Sequence, residues 1–420
     1  MLGGGGREHA LAWALGRECG AANVFLHPGN PGALRAGATA LPGVPVTGFT
    51  AATLADAVRE HRIDVVVIGP ENYLADGYAD DLRARGIDVV GPGRAGAELE
   101  TSKVFAKEFM RRAGVPTAGF VVVDSATAMM QALPKQFPAV LKLDGLAAGK
   151  GVVLAANAGE AKAFGERIWI AKEFGPGPHR VVVEDFLPGR EVSYLILCDG
   201  KTSRALPTAT DYKRVGEGDR GPNTGGMGSV SPSPWMTDAI GRAVETRVVQ
   251  PILATFARET LDYRGILYIG LMVHADGTPN VLEFNARFGD PETQAICLRL
   301  DSGLAASLAA TARGRLADAA PLKVKNEKSV YVVAAAENYP ATPTDGDRIE
   351  GALLETAGVV TFFAGVKEKD GALVTGGGRV LGHGALGDDY ESARHRAYQA
   401  FEETRWRGMH YRRDIGKFQD

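Results

Sequence analysis

Three polar side chains recur at every second position of Val-Leu-Glu-Phe-Asn-Ala-Arg-Phe, residues 281–288. Alternate residues of a strand share a face, so Glu283, Asn285 and Arg287 are expected on one side, with Leu282, Phe284 and Phe288 on the other. A carboxylate beside an amide oxygen makes a hard, oxygen-rich surface. Magnesium prefers such donors, its shell being completed by water and substrate phosphates. Arg287, next in the row, suits a phosphoryl group or a developing oxyanion. The plainer alternative is a solvated strand face.

A second set of chemical groups surrounds a glycine-rich turn. Lys142 lies in an apolar, strand-like run, where an unpaired charge is costly, so a phosphate or carboxylate partner is expected. The run enters Gly-Leu-Ala-Ala-Gly-Lys-Gly, residues 145–151. This is not a P-loop, because Asp144 stands where that motif needs glycine and Gly151 where it needs Ser or Thr. Lys150 could still close over a triphosphate as a point charge, or be an exposed turn lysine. Main-chain groups around Glu184, Asp185, Phe186 and Leu187 could bond a nucleotide base, with Glu191 on ribose hydroxyls. A strand connection bearing surface acids is the alternative. Thr210–Pro232 reads as a long, polar, glycine-rich loop, and such loops are usually functional or disordered. Its Asp211, Lys213, Arg214 and Asn223 could meet a small charged substrate.

These groups need a scaffold, and 420 residues are too many for one core. Residues 1–98 alternate strand-like and helix-like segments, which predicts a doubly wound sheet. Thr50 is a candidate helix cap. The Gly-Gly-Gly-Gly-Arg-Glu-His turn, residues 3–9, could hold a phosphate on its amides with Arg7 adding charge. It is not a Gly-x-Gly-x-x-Gly fingerprint, and a nicotinamide-dependent dehydrogenase would leave the glycine-lysine turn and residues 281–288 unexplained. Residues 99–317 predict an α+β domain, with Asp290 capping a helix and Pro291 at its first position. Residues 318–420 predict a small α+β domain, with a strand at residues 378–386 and an internal turn at residues 382–391.

The bulk composition excludes several classes. Hydrophobic residues at 45% and charged residues at 23% are ordinary for a globular protein. With a net charge of -3 and no basic run, binding to nucleic acid is not expected. Cys19, Cys198 and Cys297 are far apart and odd in number, which predicts reduced thiols. Arg7, Glu8 and His9 interrupt any N-terminal apolar core, and no run approaches membrane-spanning length. A soluble cytoplasmic protein is expected.

In this order, Gly-Gly-Arg-Glu-His, Pro-Gly-Asn-Pro-Gly, residues 141–153, residues 211–228, Leu-Glu-Phe-Asn-Ala-Arg-Phe-Gly-Asp-Pro-Glu-Thr-Gln and the terminal Arg-Arg-Asp-Ile-Gly closely resemble the phosphoribosylamine–glycine ligases of the ATP-grasp superfamily. The resemblance covers nearly the whole chain. It implies an N-terminal pre-ATP-grasp domain, a central ATP-grasp domain with a mobile lid at about 119–188, and the small C-terminal domain. It also implies that residues 145–151 form a flexible phosphate-covering loop. ATP would then meet Lys103, Lys142 and Lys150 at its phosphates, residues 184–187 at adenine and Glu191 at ribose. Glu283 and Asn285 would hold magnesium or manganese. Glycine would be activated as glycyl phosphate and then attacked by 5-phosphoribosylamine, in purine biosynthesis. Arg287 and Lys142 are the implied catalytic groups. Asp211, Gly289 and Asp290 would orient glycine, with Lys213 and Asn223 close by. The substrate 5-phosphate would lie against Gly5, Gly6 and Arg7, near Asn30. The expected assembly is a monomer or weak homodimer.

One departure from that pattern carries an expectation of its own. The family has a short apolar strand before Gly-Gly-Arg-Glu-His, and only Met1 and Leu2 precede Gly3 here. The first, central strand of the N-terminal sheet is therefore expected to be missing. Its absence would expose neighbouring strand edges.

Overall fold

The computed structural model describes residues 1–146, 151–351, 355–356 and 358–418. Short buried β-branched runs alternate with helices in the first hundred residues and fold as the doubly wound pattern predicts. Leu2–Gly3 pairs in parallel with Phe25–Pro28, which pairs in parallel with Thr39–Ala40. On the other side Leu2 bridges Ile68, and Val66–Val67 pairs in parallel with Val89–Val90. The central strand is thus present, contrary to expectation. Two residues suffice because hydrogen bonds tie them on both sides. Leu2 O accepts from Gly69 N at 2.9 Å, Met1 O accepts from His27 N at 2.9 Å, and the terminal amine donates to Phe25 O at 2.6 Å. Leu2 itself is buried among Val66, Ile68 and Ala286. The Thr50 cap forms as expected, accepting from Thr53 N at the start of Ala51–Glu60.

The middle of the chain builds two antiparallel sheets. One orders Ser203–Ala205, Arg190–Cys198, Gly265–Val273 and Pro279–Asn285. Its apolar residues, such as Ile196, Leu267 and Ile269, pack on Phe109 of helix Lys103–Ala113 and Phe256 of helix Gln250–Arg258. The other sheet orders Phe120–Val123, Val181–Asp185, Ala139–Leu143 and Val152–Ala155, around Leu141, Val183 and Phe164. The Asp276-Gly277 turn joins the long hairpin of the first sheet.

Residues 210–232 differ from the loop expected of them. Arg214–Gly216 pairs with Arg220–Asn223 in a hairpin whose turn places Gly218 and Asp219 at φ 66 and 53°. Thr210–Asp211 and Gly228–Ser231 join the edge of a six-stranded sheet with Lys328–Ala335, Arg379–Gly387, Val359–Phe363 and Glu355–Thr356. Backbone pairing thereby satisfies a segment whose polarity had suggested none. The strand expected at 378–386 forms as Arg379–Gly387, which leaves the turn expected at 382–391 only Asp388 and Asp389, for a packing reason. The ring of Tyr331 crosses the sheet so closely that a Cβ at Gly382 would lie 2.5 Å from its hydroxyl. Glycine there admits the ring and leaves the strand intact.

Two histidines are sealed in this framework. His9 accepts from Phe363 N at 2.9 Å, and His383 lies between Thr361 and Thr404 at 2.9 and 3.0 Å. Burial lowers the pKa of each to about 3. The unfolded chain, with histidines near 6.5, therefore binds more protons across that window, and stability falls as pH drops from about 6.5 toward 3, by up to about 1.4 kcal/mol per histidine per pH unit. The urea midpoint should fall between pH 6.5 and 5, and a flat midpoint would contradict this assignment.

Candidate functional site

A cavity of about 320 Å³ opens where the edge strand Pro279–Asn285, the start of helix Lys103–Ala113, the strand Ala139–Leu143 and residues 211–225 converge. Glu283 and Asn285 line it from the strand. Strict alternation fails just before them. Gly270 faces Glu283 while Leu271 faces Val281, so Leu282 sits in a bulge. Val281 and Phe284 consequently share the core, and Leu282 lines the cavity in place of the buried face expected for it. Bulges re-aim side chains in this way near functional sites. The strand ends at Asn285, so Arg287 reaches the cavity from the segment that follows.

Glu283 and Asn285 make no side-chain hydrogen bond or ion pair with the described residues. Burial works against the Glu283 charge, but Lys213, Lys142 and Lys103 outweigh it and lower its pKa. An ionised carboxylate and an amide oxygen, both free, fit a divalent cation of the magnesium type. No group of three or more His, Cys, Asp or Glu suited to a metal occurs among the described residues, so water and substrate would supply the remaining ligands.

The lysines are held by a buried carboxylate. Glu184 receives Lys107 Nζ on one oxygen at 2.9 Å and Lys142 Nζ beside the other at 3.0 Å, the latter an ion pair whose angle falls short of a hydrogen bond. Lys142 also donates to Leu282 O at 2.9 Å. The carboxylate partner expected for Lys142 is therefore found. Burial lowers the pKa of Lys107 to about 8, against the pull of Glu184. Lys103 donates to Gly145 O at 2.7 Å, at the base of the glycine loop, and burial lowers its pKa as well. Lys150 lies outside the described residues. The Glu184 side chain faces inward to the lysines, whereas Asp185 and Phe186 are exposed and, like Leu187, stand off the cavity wall.

Arg287 is clamped more than free. Its Nη2 lies 3.0 Å from Glu100, its Nε 3.4 Å from Glu71, and its Nη1 donates to Phe288 O at 3.2 Å. Burial opposes its charge, but Glu100, Glu71, Glu292 and Asp290 raise its pKa. Glu191, expected at ribose, is exposed and ion-paired with Lys213.

Across the cavity stands an acidic pair. Asp211 Oδ1 is buried without a partner among the described residues. Burial and then Glu292 raise the Asp211 pKa well above the usual carboxylate range. Glu292 accepts from Ser193 Oγ at 3.0 Å, and Ser193 meets Tyr268 OH at 2.9 Å. Asn223 and Gly289 complete this wall. Asp290 lines it too, but caps no helix. Its carboxylate lies 3.2 Å from Arg379 and accepts from Gln294 at 2.8 Å, and the helix begins two residues later at Glu292.

The N-terminal turn departs from expectation. Gly5 N donates to Glu8 Oε2 at 2.7 Å, so that amide is engaged by its own helix. Gly6 is the first residue of that helix, against Gln294. Arg7 is buried, at 2.6 Å from Glu8, and donates to Phe288 O at 3.1 Å. Asn30 is fully buried. It caps Pro31–Arg35 by accepting from Gly32 N and Ala33 N, and donates to Gly4 O and Phe363 O. Arg7, through Nε and Nη1, and Asn30, through both ends of its amide, therefore hold the turn in shape. Lys107, Glu100, Glu71, Glu292 and Tyr268 were not legible as site residues. Only Lys107, a charge on the apolar side of its helix, left a trace in the sequence.

Two α+β sheets closing on a metal-ready strand edge and a lysine cluster define an ATP-grasp fold. Matches to known proteins agree with that class. A model of the phosphoribosylglycinamide synthetase N domain matches residues 1–100, its ATP-grasp (A) domain residues 101–293 and its C domain residues 329–418. The chain belongs to the phosphoribosylglycinamide synthetase family. It is 44% identical to the phosphoribosylamine–glycine ligase of Synechocystis over 99% of this chain and 98% of that protein. It is similar to the crystal structure of the Thermotoga maritima phosphoribosylamine–glycine ligase, with TM-score 0.85 and 37% identity over 99% and 98% of the two chains. The biotin carboxylase domain of Hydrogenobacter thermophilus 2-oxoglutarate carboxylase, solved with ADP and magnesium, shares the fold at TM-score 0.70 and 17% identity, over 98% of this chain and 91% of that one. Among the described residues no helix is long and apolar enough to cross a membrane.

Proposed function

We propose that the chain joins glycine to 5-phosphoribosylamine with cleavage of ATP to ADP and phosphate, through glycyl phosphate. The observation that carries this is the single cavity in which free Glu283 and Asn285, paired lysines and an unpartnered Asp211 meet. Lys103 and Lys142 position the triphosphate, and Lys150 is assigned the same task. Glu283 and Asn285 hold magnesium or manganese, which, when bound, neutralises charge on the phosphoryl oxygens. A glycine carboxylate oxygen attacks the γ-phosphorus, and the bond to the ADP oxygen breaks. The amine of phosphoribosylamine then attacks the glycyl carbonyl. The carbon–oxygen bond to phosphate breaks, the amine proton is lost and the amide forms. Arg287, held by Glu100 and Glu71, stabilises the developing negative charge. Asp211 and Asp290 orient the glycine ammonium with the Gly289 backbone, beside Lys213 and Asn223. Adenine lies against the backbone of 184–187 and ribose near Glu191, once Lys213 gives up that carboxylate. The 5-phosphate lies at the Gly5–Gly6 turn.

This reading divides the chain at 1–98, 99–317 and 318–420, with 119–188 as the lid. We place it in the cytoplasm, where separated thiols stay reduced, as a monomer or weak homodimer acting on small molecules alone. Glycine labelled with ¹⁸O in its carboxylate tests the chemistry. Phosphate released during turnover should carry one labelled oxygen, and unlabelled phosphate would exclude the acyl phosphate.

A further inference from the structure

The terminal Arg-Arg-Asp-Ile-Gly motif lies far along the chain from every group assigned above, yet its side chains close on the hairpin that carries Asp211, Lys213 and Asn223 to the cavity. Arg412 is 1% exposed. Its Nη1 donates to Arg214 O at 3.0 Å and to Asp219 Oδ1 at 2.8 Å, at opposite ends of the hairpin's first arm and turn. Its Nη2 donates at 2.7 Å to Asp414 Oδ2, which also accepts from Gly218 N at 2.8 Å. Arg413 N donates to Glu217 Oε1 at 3.1 Å, and His410 Nε2 lies 2.9 Å from Val215 O. Tyr212 OH accepts from Gly416 N at 3.1 Å, so the residue between Asp211 and Lys213 is pinned as well. The far end is fixed separately, by Gly225 N donating to Tyr339 OH at 2.9 Å and Arg379 Nη1 donating to Gly225 O at 2.6 Å.

A hairpin of this composition has little to hold it otherwise. Arg220–Asn223 is exposed throughout, and among the described residues it pairs only with Arg214–Gly216. Isolated two-stranded hairpins are marginal in water. A buried guanidinium supplying planar, directional donors to both backbone and carboxylate can set its position, as a lysine ammonium cannot.

We propose that Arg412, with Asp414, is a positioning residue for ligation, which fixes the 211–223 hairpin so that Asp211, Lys213 and Asn223 meet the amino-acid and amine substrates. The inference rests on the proposed ligase reading and extends it to residues that touch no substrate. It predicts separable effects. The nucleotide is held chiefly from the other walls, by Lys103, Lys142 and Glu283, so its affinity should be indifferent to the clamp.

The test compares wild type, Arg412→Lys and Asp219→Asn in steady-state ligation and in binding of magnesium ADP. Arg412→Lys should raise KM for glycine or phosphoribosylamine about tenfold, with ADP affinity within about twofold of wild type. Asp219 is an exposed turn residue, so Asp219→Asn keeps the core whole and should raise the same KM by about two- to fivefold. If Arg412→Lys does not fold, Asp219→Asn decides alone. Unchanged KM values, or an ADP affinity that falls by the same factor as KM rises, would overturn the positioning role. Absence of ligation by wild type would instead overturn the ligase reading.

Discussion

Glu283→Gln should lower magnesium-dependent turnover by about a hundredfold or more, while ADP still binds. The substitution keeps the shape of the side chain and removes one charge. Three ammonium groups, those of Lys103, Lys142 and Lys213, act on that carboxylate. An amide in its place leaves those three ammonium groups facing only neutral oxygens at the strand edge, so the metal requirement should shift to much higher magnesium. The lysines remain to hold phosphates, which is why nucleotide affinity is retained. Initial rates across a magnesium titration read both effects. A variant with wild-type rate and half-saturation would remove Glu283 from the metal site.

The second large effect falls on stability. Glu184→Gln should destabilise the protein by about 3–5 kcal/mol, because it leaves buried ammonium groups without their counter-charge. Both lysines depend on it. Lys107 extends from the helix Lys103–Ala113, whereas Lys142 and Glu184 stand on neighbouring strands of one sheet, so the carboxylate ties that sheet to the helix. Lys107→Met should cost less, since the pair with Lys142 survives and a methionine fills the space. Urea unfolding followed by tryptophan fluorescence separates these outcomes, with Trp169 reporting on the core around Leu141 and Val183. A loss below about 1 kcal/mol for Glu184→Gln would place the pair among ordinary surface ion pairs.

How much of this was legible depended on the distance over which each choice is made. The Thr50 cap is decided within four residues and was read from them. The pairing of Glu283 with Asn285 needs only the period of a strand. The bulge at Leu282 depends on which residue of Gly265–Val273 lies opposite, and no local pattern reports that. Asp290 before Pro291 reads as a helix cap. The structure assigns its carboxylate to Arg379 and Gln294 instead, the first of which arrives from the C-terminal sheet. Arg7 followed by Glu8 in a glycine turn reads as phosphate chemistry, yet burial turns the two charges on each other. With only two residues ahead of Gly3, the central strand is expected to be missing. Neighbours on both sides make up the missing bonds, a tertiary effect invisible in the segment itself. The clamp on Arg287 by Glu100 and Glu71 joins residues more than 180 positions apart, where sequence reasoning has no purchase.

The central claim is that one cavity couples ATP cleavage to amide formation from two further substrates. The most direct measurement is ADP release in the presence of magnesium, with freshly prepared phosphoribosylamine and glycine supplied singly and together, and with the product identified by mass. Rapid ADP release that requires both, with one equivalent of glycinamide ribonucleotide per ADP, is the predicted result. ADP release that ignores either co-substrate, or none at all from a protein that binds magnesium ATP, would contradict it.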